Sequence, residues 1–265
     1  MNSELNYPGW VIFHVPHDSK WIPDEVRNQF VLDEVEMEAE LCRMTDHHTL
    51  ELFTSLIPAN QIVYAPVSRL VVDVERFEDD SDESMAERGM GVIYRCTSGL
   101  GELRRIITDE ERRILLEQYY YPHHLRLTQT VDTALSQHGK CLVVDCHSFP
   151  SHALPYEFDS FGKVRPDICI GTDDFHTPPE LAEQLLRNFE RQGFSVALNS
   201  PFAGALVPMK HYLKNQNVHS LMIEVNRVLY CDEKTGLKCD NFGEISRLIR
   251  EALVQSCSSV TLPLS

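Results

Sequence analysis

The sequence predicts a single α/β domain built on a mixed, mostly parallel sheet with helices on both faces. Three observations predict it. Short apolar runs of strand type alternate along the chain with segments whose apolar residues recur at helical spacing, the order that builds parallel sheets with crossover helices. No repeat, low-complexity linker or shift of composition divides the 265 residues, so one domain is expected over 1–265 with its core at about 10–255. Three apolar runs also lead into polar residues of catalytic or metal-binding type, at the carboxyl ends of strands where open α/β sheets place their sites.

The elements follow in order. Trp10 to Val15 is a first strand, ended by Pro16. Asp33 to Ser55 reads as one helix, with Val35, Ala39, Leu41 and Leu52 at helical spacing and acidic residues at its start, where the helix dipole favours them. Gln61 to Ala65 and Leu70 to Val74 read as strands around the turn Pro66-Val67-Ser68. Glu78 to Arg88, with its acidic run Glu78-Asp79-Asp80-Ser81-Asp82-Glu83, reads as a solvated loop. Asp109 to Gln137 is the longest helical pattern, opened by Thr108-Asp109, kinked or restarted at Pro122 and closed by Gly139. Lys140 to Cys146 is the clearest buried strand, and Asp167 to Gly171 another. Pro178 to Gln192 is a helix ended by Gly193, and Phe194 to Leu198 and His219 to Val225 are the last strands. Asp240 to Val254 closes the fold as a helix, and the tail after Ser256 is expected to be poorly ordered.

Composition narrows the function classes. The formal net charge of −16, from 24 basic and 40 acidic residues, argues against a nucleic-acid or anionic-membrane partner, because phosphate binding needs a basic footprint. The eight cysteines form no C-x-x-C pair and several lie in apolar runs, so free buried thiols in a reducing cytoplasm are expected. The first residues lack the basic and apolar regions of a signal peptide, and no apolar run approaches the roughly 18 residues of a membrane span.

The polar strand ends carry the chemistry. His17 stands in Val15-Pro16-His17-Asp18-Ser19, His147 in Val143-Val144-Asp145-Cys146-His147-Ser148, and Glu224 in Leu221-Met222-Ile223-Glu224-Val225-Asn226-Arg227. Two imidazoles and a carboxylate are the raw material of a hydrolytic zinc site. A lone histidine at a strand end is more often a hydrogen-bonded structural residue, but two on separate strands shift the balance toward ligation. A third ligand is needed, for which Asp46, Asp18, His14 and Asp145 are candidates; Asp145 can instead fix an imidazole tautomer from outside the ligand set. Glu224 is either a general base with its pKa raised by burial or the salt-bridge partner of Arg227. Arg69, Arg76 and Arg227 are either anion-binding groups or partners of nearby acids.

Further segments complete an ordered set: Thr45-Asp46 before an apolar helix, Ser68-Arg69 through Arg76, Tyr121-Pro122-His123-His124, Asp167 to Thr172, Asn199-Ser200-Pro201-Phe202-Ala203-Gly204, and Ile223 to Tyr230. Together with the His17 and His147 segments, from about Val11 to about Tyr230, they resemble the N-formylglutamate amidohydrolase family, which is related more distantly to zinc carboxypeptidases and aspartoacylase. The resemblance implies a zinc-carboxypeptidase-like fold and one zinc per chain, or another divalent metal, on His17, Asp46 and His147. It implies that Arg69 polarises the scissile carbonyl, that Glu224 activates the attacking water, and that Arg76 binds a substrate carboxylate, with His124, Asn199 and Arg227 lining the pocket. Two departures stand out. Asp73-Val74-Glu75-Arg76 replaces the usual Asp-x-Asn-Arg, and Asp18-Ser19 alters the usual Pro-His-Ser-Gly. The acidic ligand of the wider superfamily, three residues after the first histidine, is here Lys20, which cannot ligate as an ammonium. The expected activity is zinc-dependent hydrolysis of a small anionic N-acyl amino acid, N-formyl-L-glutamate or a close relative. The alternatives are a carboxypeptidase-like hydrolase of another acidic amide and a metal- or ligand-binding homologue without catalysis. Glu75 beside Arg76 is expected to repel or compete with an anionic substrate.

Overall fold

In the computed structural model, which describes residues 7–157 and 164–259, one sheet contains the strands β1 (Val11–Val15), β2 (Ile62–Tyr64), β3 (Cys141–Phe149), β4 (Ile168–Gly171), β5 (Val196–Leu198) and β6 (Val218–Asn226). Their order is β2-β1-β3-β6-β4-β5. The β1–β2, β1–β3, β3–β6 and β4–β5 pairs are parallel, and β4 runs antiparallel to β6. The fold is therefore α/β with a mixed, mostly parallel sheet. The helices are α1 (Glu34–Met44), α2 (Thr49–Thr54), α3 (Asp109–Leu115), α4 (Tyr121–His138), α5 (Pro179–Arg191) and α6 (Phe242–Ser259).

Strand alternation decides what each face of the sheet carries, because successive side chains point to opposite sides. Val11, Phe13 and Val15 of β1, Leu142, Val144 and Cys146 of β3, and Leu221, Ile223 and Val225 of β6 share one core with Leu52, Leu185 and Ile249 of α2, α5 and α6. Ile12, Cys141, Val143 and Val218 face the other way, against Leu127, Val131 and Ala134 of α4. Both faces are thus covered, which is why β3 and β6 are buried along all nine of their residues. The same parity places His14, Asp145, His147 and Glu224 on the α4 side, nearer the carboxyl ends than the apolar residues of that face. A third apolar cluster, which includes Ile22, Met37, Leu41, Val71, Tyr94 and Leu115, packs the long connections beside that end.

Local chemistry explains the helix boundaries. Asp33 and Glu36 form a capping box that opens α1, and Thr108 with Glu111 does the same for α3. Gly139, at φ 73°, takes the left-handed position that closes α4. No described helix is long and apolar enough to cross a membrane.

Four expectations are corrected. The helix expected over Asp33–Ser55 is two helices, α1 and α2, because the chain breaks at Thr45–His48, where His48 adopts φ 61°. That break brings Asp46 inward. Leu70–Val74 is not a strand but a buried turn-rich segment, whose Asp73 amide donates to the Val92 carbonyl at 2.9 Å. Leu70, Val71 and Val72 fill the third apolar cluster rather than a ladder. The Glu78–Arg88 stretch is largely solvated, but it holds a short 3₁₀ turn at Ser84–Arg88, and Glu83 is buried, accepting from the Met85 amide. The closing helix runs on to Ser259, past the expected onset of disorder; 260–265 lie outside the described residues. The expectation at Pro122 agrees with the structure: the helical run restarts there, a π turn at Leu116–Tyr120 joining α3 to α4 with the proline in the first turn of α4.

Gly171 at the end of β4 shows how tightly the sheet meets the loop that follows β5. A methyl group there would press on the Gly204 carbonyl oxygen and lie 2.5 Å from Met222 Cε. Gly171→Ala is expected to lower stability by about 1–3 kcal/mol through overpacking, read as a lower urea midpoint at unchanged slope.

Candidate active site

His17 follows β1 after the Pro16 turn, His147 lies near the end of β3, and Asp46 enters from the break between α1 and α2. The Asp46 amide donates to the His17 carbonyl at 2.9 Å, and the Thr49 hydroxyl closes the turn on the Asp46 carbonyl, also at 2.9 Å. All three side chains are buried. Asp46 Oδ2 stands 3.2 Å from His147 Nδ1 and 3.6 Å from His17 Nδ1, while Asp46 Oδ1 accepts from Arg227 Nη2 at 2.9 Å.

The donor chemistry fits a metal ion. His17 Nε2 lies 2.8 Å from Asp73 Oδ1, whereas its Nδ1 is buried without a hydrogen-bond partner. An imidazole held by a carboxylate on one nitrogen and bare on the other, toward a second imidazole and a carboxylate, is the arrangement of a ligating histidine with its outer partner. His17, Asp46 and His147 converge closely enough to hold one ion between them. Of the other third-donor candidates, His14 and Asp145 belong to a separate adjacent group with Glu75. Lys20 is turned away, paired with Glu38 on the surface.

Asp73 is the hub of the outer partners. Its Oδ1 also accepts from the Glu75 amide at 2.9 Å, its Oδ2 accepts from Arg69 Nη2 at 2.9 Å and from the Tyr94 hydroxyl, and Arg76 Nε approaches to 3.7 Å. Burial alone would raise its pKa, but Arg69 and His17 outweigh it and hold the carboxyl well below the usual range. Asp46 behaves alike: burial opposes ionisation, and hydrogen bonds with His147 and His17, together with Arg227, overcome it.

Glu224 has the opposite balance. It lies opposite His147 in the β3–β6 register, is buried, and its Oε2 has no hydrogen-bond partner. Burial pushes its carboxyl up to about 8, against the pull of His147, Arg227 and Arg69. The salt-bridge alternative is not what forms. Arg227 instead donates to Asp46 Oδ1, to Ser148 Oγ at 3.1 Å and to the Arg43 carbonyl at 2.6 Å.

A cavity of about 830 Å³ opens over these groups, lined among others by His17, Asp46, Arg69, Glu75, Arg76, His124, His147, Asn199, Glu224 and Arg227. Arg69 is fixed by Asp73 and by the Tyr94 hydroxyl, 3.0 Å from its Nε. Arg76 Nε has no hydrogen-bond partner. The His124 ring lies 4.2 Å from that of Tyr120, and burial lowers its pKa to about 4. Asn199, at φ 53°, is held by a pair of hydrogen bonds with Thr172, at 2.9 and 2.8 Å. The residues His17, Asp46, His147, Glu224, Arg69, Arg76, His124, Asn199 and Arg227 all line this cavity, whereas the alternative ligand candidates Asp18 and His14 do not. Two partners went unassigned in the sequence reading, Asp73 and Tyr94. Asp73 stood in a segment singled out only for its arginines, and nothing in the sequence around Tyr94 marks it.

The Glu75 carboxylate stands against His14. Its Oε1 lies 3.2 Å from His14 Nδ1, and His14 in turn lies 2.8 Å from Asp145 Oδ1. Burial would lower the His14 pKa, but Asp145 and Glu75 raise it to about 9.

The family model for N-formylglutamate amidohydrolase matches residues 10–231. An N-formylglutamate deformylase of Pseudomonas putida is 30% identical over 84% of this chain and 82% of its own, and one of Pseudomonas aeruginosa is 29% identical over 82% of each. The crystal structure of an N-formylglutamate amidohydrolase from Ralstonia eutropha superposes with a TM-score of 0.80 at 21% identity, covering 95% of this chain and 94% of that one. A gene product of Agrobacterium tumefaciens gives 0.68 at 19% identity, over 96% and 92%.

The pKa of Glu224 sets a pH signature for the metal-free protein. A carboxyl raised on folding stabilises fully below its unfolded value near 4.5, and that contribution is lost as pH rises through about 8. Glu224→Gln, neutral throughout, is expected to flatten the fall in thermal stability of the chelated protein between about pH 5 and 9, measured by melting curves.

Proposed function

The chain belongs to the N-formylglutamate amidohydrolase family, and we propose that it hydrolyses the amide of a small anionic N-acyl amino acid, N-formyl-L-glutamate or a close relative. The observation that carries this reading is the bare, buried Nδ1 of His17 beside Asp46 and His147, with Glu224 on the neighbouring strand. His17, Asp46 and His147 would hold zinc, which supplies Lewis acidity toward a water and a carbonyl when bound.

The chain's own groups divide the remaining work. Glu224, with a carboxyl poised near neutrality, takes a proton from the attacking water and returns it to the leaving nitrogen. Arg69, its plane fixed by Asp73 and Tyr94, stabilises the oxyanion that develops on the carbonyl. Arg227 holds Asp46 in place in the cavity lining and contributes positive potential to it. Arg69 and Arg76 share the single carboxylate of Asp73, and this surplus of positive charge suits a substrate carboxylate at Arg76. Because His14 lies against Glu75, the negative charge beside Arg76 is partly offset, which supports an anionic substrate despite the altered motif. His124 and Asn199 shape the wall of the cavity. The free cysteines, most of them buried, suit a reducing cytoplasm.

The direct test is amine release from N-formyl-L-glutamate, beside N-formyl-aspartate and N-acetyl amino acids, with chelated protein as control. Turnover lost on chelation and restored by zinc is the expected result; bound zinc without turnover across the panel would instead favour a binding protein. Glu224→Gln should retain metal and lose on the order of 100- to 10,000-fold in kcat. A near-normal rate in a metal-loaded preparation would sink the assigned role. Arg76→Ala should raise KM for the anionic substrate by roughly 10- to 100-fold, the worth of a charged hydrogen bond, with a much smaller effect on an uncharged N-formyl amide.

A further inference from the structure

Next to the first ligand group stands a second, His14, Glu75 and Asp145, whose donor atoms also converge. Only one of its close contacts is a hydrogen bond, that between His14 Nδ1 and Asp145 Oδ1 at 2.8 Å. Two others have the distance but not the alignment. Glu75 Oε1 is 3.2 Å from His14 Nδ1, yet it is buried without a hydrogen-bond partner. His147 Nε2 is 3.1 Å from Asp145 Oδ1 and 4.0 Å from Glu75 Oε2, and it too is buried without a partner. Asp145 Oδ2 is a third unpartnered buried atom of the same group. Nitrogen and oxygen that stand about 3 Å apart without an N–H aimed at the oxygen are placed as two ligands of one ion are, each directing its lone pair at the ion.

The ring of His14 is held the way a ligating histidine is held. Its Nε2 lies 2.8 Å from His123 Nε2, so one of the two must donate and the other accept. In the metal-free protein Nδ1–H of His14 donates to Asp145; an ion would take the place of that proton, with Nε2–H donating to His123 and the Nδ1 lone pair turned to the ion. As with His17, one ring nitrogen is held by an outer partner and the other is turned to carboxylate oxygen, here Asp145 and Glu75.

We propose that His14, Glu75 and Asp145 form a second cation site for a first-row divalent ion, with Nε2 of His147 facing it as a fourth donor. Two imidazole nitrogens and two carboxylates suit zinc, manganese or iron. If Nε2 of His147 joins, its ring proton leaves to solvent, and the imidazole is shared between the two ions. The proposal rests on the reading of His17, Asp46 and His147 as the first site, through the shared His147 alone.

The test is a metal count on the full chain. Protein is stripped with chelator, reloaded with excess zinc, freed of loose metal by gel filtration and analysed by mass spectrometry of the elements. Wild type should retain two zinc ions per chain, and Glu75→Asn and His14→Gln one each. Asp46→Asn should also retain one, having lost the other site. Saturation of wild type at a single ion overturns the proposal, as does a second ion that persists in Glu75→Asn. Because the wild-type count decides by itself, a variant that fails to fold leaves the question answerable. Two ions in Asp46→Asn, with one in Glu75→Asn, would overturn the first site's reading while supporting this one.

Discussion

The parallel pairing of β3 with β6, in a register that sets His147 opposite Glu224, is the constraint on which the site depends. A slip of β6 by one residue against β3 would turn Glu224 away from His147, to the face packed by α2, α5 and α6, into the apolar core. The register is held because the alternate residues on that face, Leu142, Val144 and Cys146 against Leu221, Ile223 and Val225, are fully buried. β1 joins the same arrangement with His14 beside Asp145. The core on one face thereby fixes the positions of the polar groups on the other.

Once these groups are buried together, the balance between desolvation and partners assigns their charge states. Burying an ionised carboxylate is costly unless partners compensate. Asp46 has Arg227 and two imidazoles, Asp73 has Arg69 and His17, and both carboxyls stay ionised. Glu224 lacks a hydrogen-bonded partner for Oε2, so desolvation wins and its pKa moves the other way. Acids of one chemical type are thus driven apart by their surroundings, the pattern by which a site separates charge-bearing from proton-transferring groups.

The strands and the residues at their ends were legible in the sequence because both depend on short-range pattern. Apolar runs such as Cys141–Val144 stop where Asp145 and His147 begin, and that alternation is visible without coordinates. Leu70–Val74 misled because Leu-Val-Val is equally good for a strand and for filling a pocket under a turn; only its tertiary neighbours, such as Met90, Val92 and Tyr94, decide. The break at Thr45–His48 was hidden because periodicity continues across it, while the left-handed His48 and the inward Asp46 answer to contacts with the His17 segment. Asp73 and Tyr94 were unreadable as a pair for the same reason. They meet across 21 positions through a side-chain hydrogen bond that no local spacing encodes.

Glu75 joins these themes. An acid placed next to Arg76 in sequence suggests that the two neutralise each other. The fold sends the Glu75 carboxylate toward His14, while Arg76 leans on Asp73 and keeps its Nε without a hydrogen bond. Adjacent residues in an irregular segment need not share a direction, so their charges serve different parts of the cavity. Arg76, together with Arg69, leaves positive charge for a substrate, whereas Glu75 adds a carboxylate to the group around His14 and Asp145. Glu75 therefore shapes the wall behind His147 more than it alters the arginine pair. Its consequence should be sought first in what that wall binds.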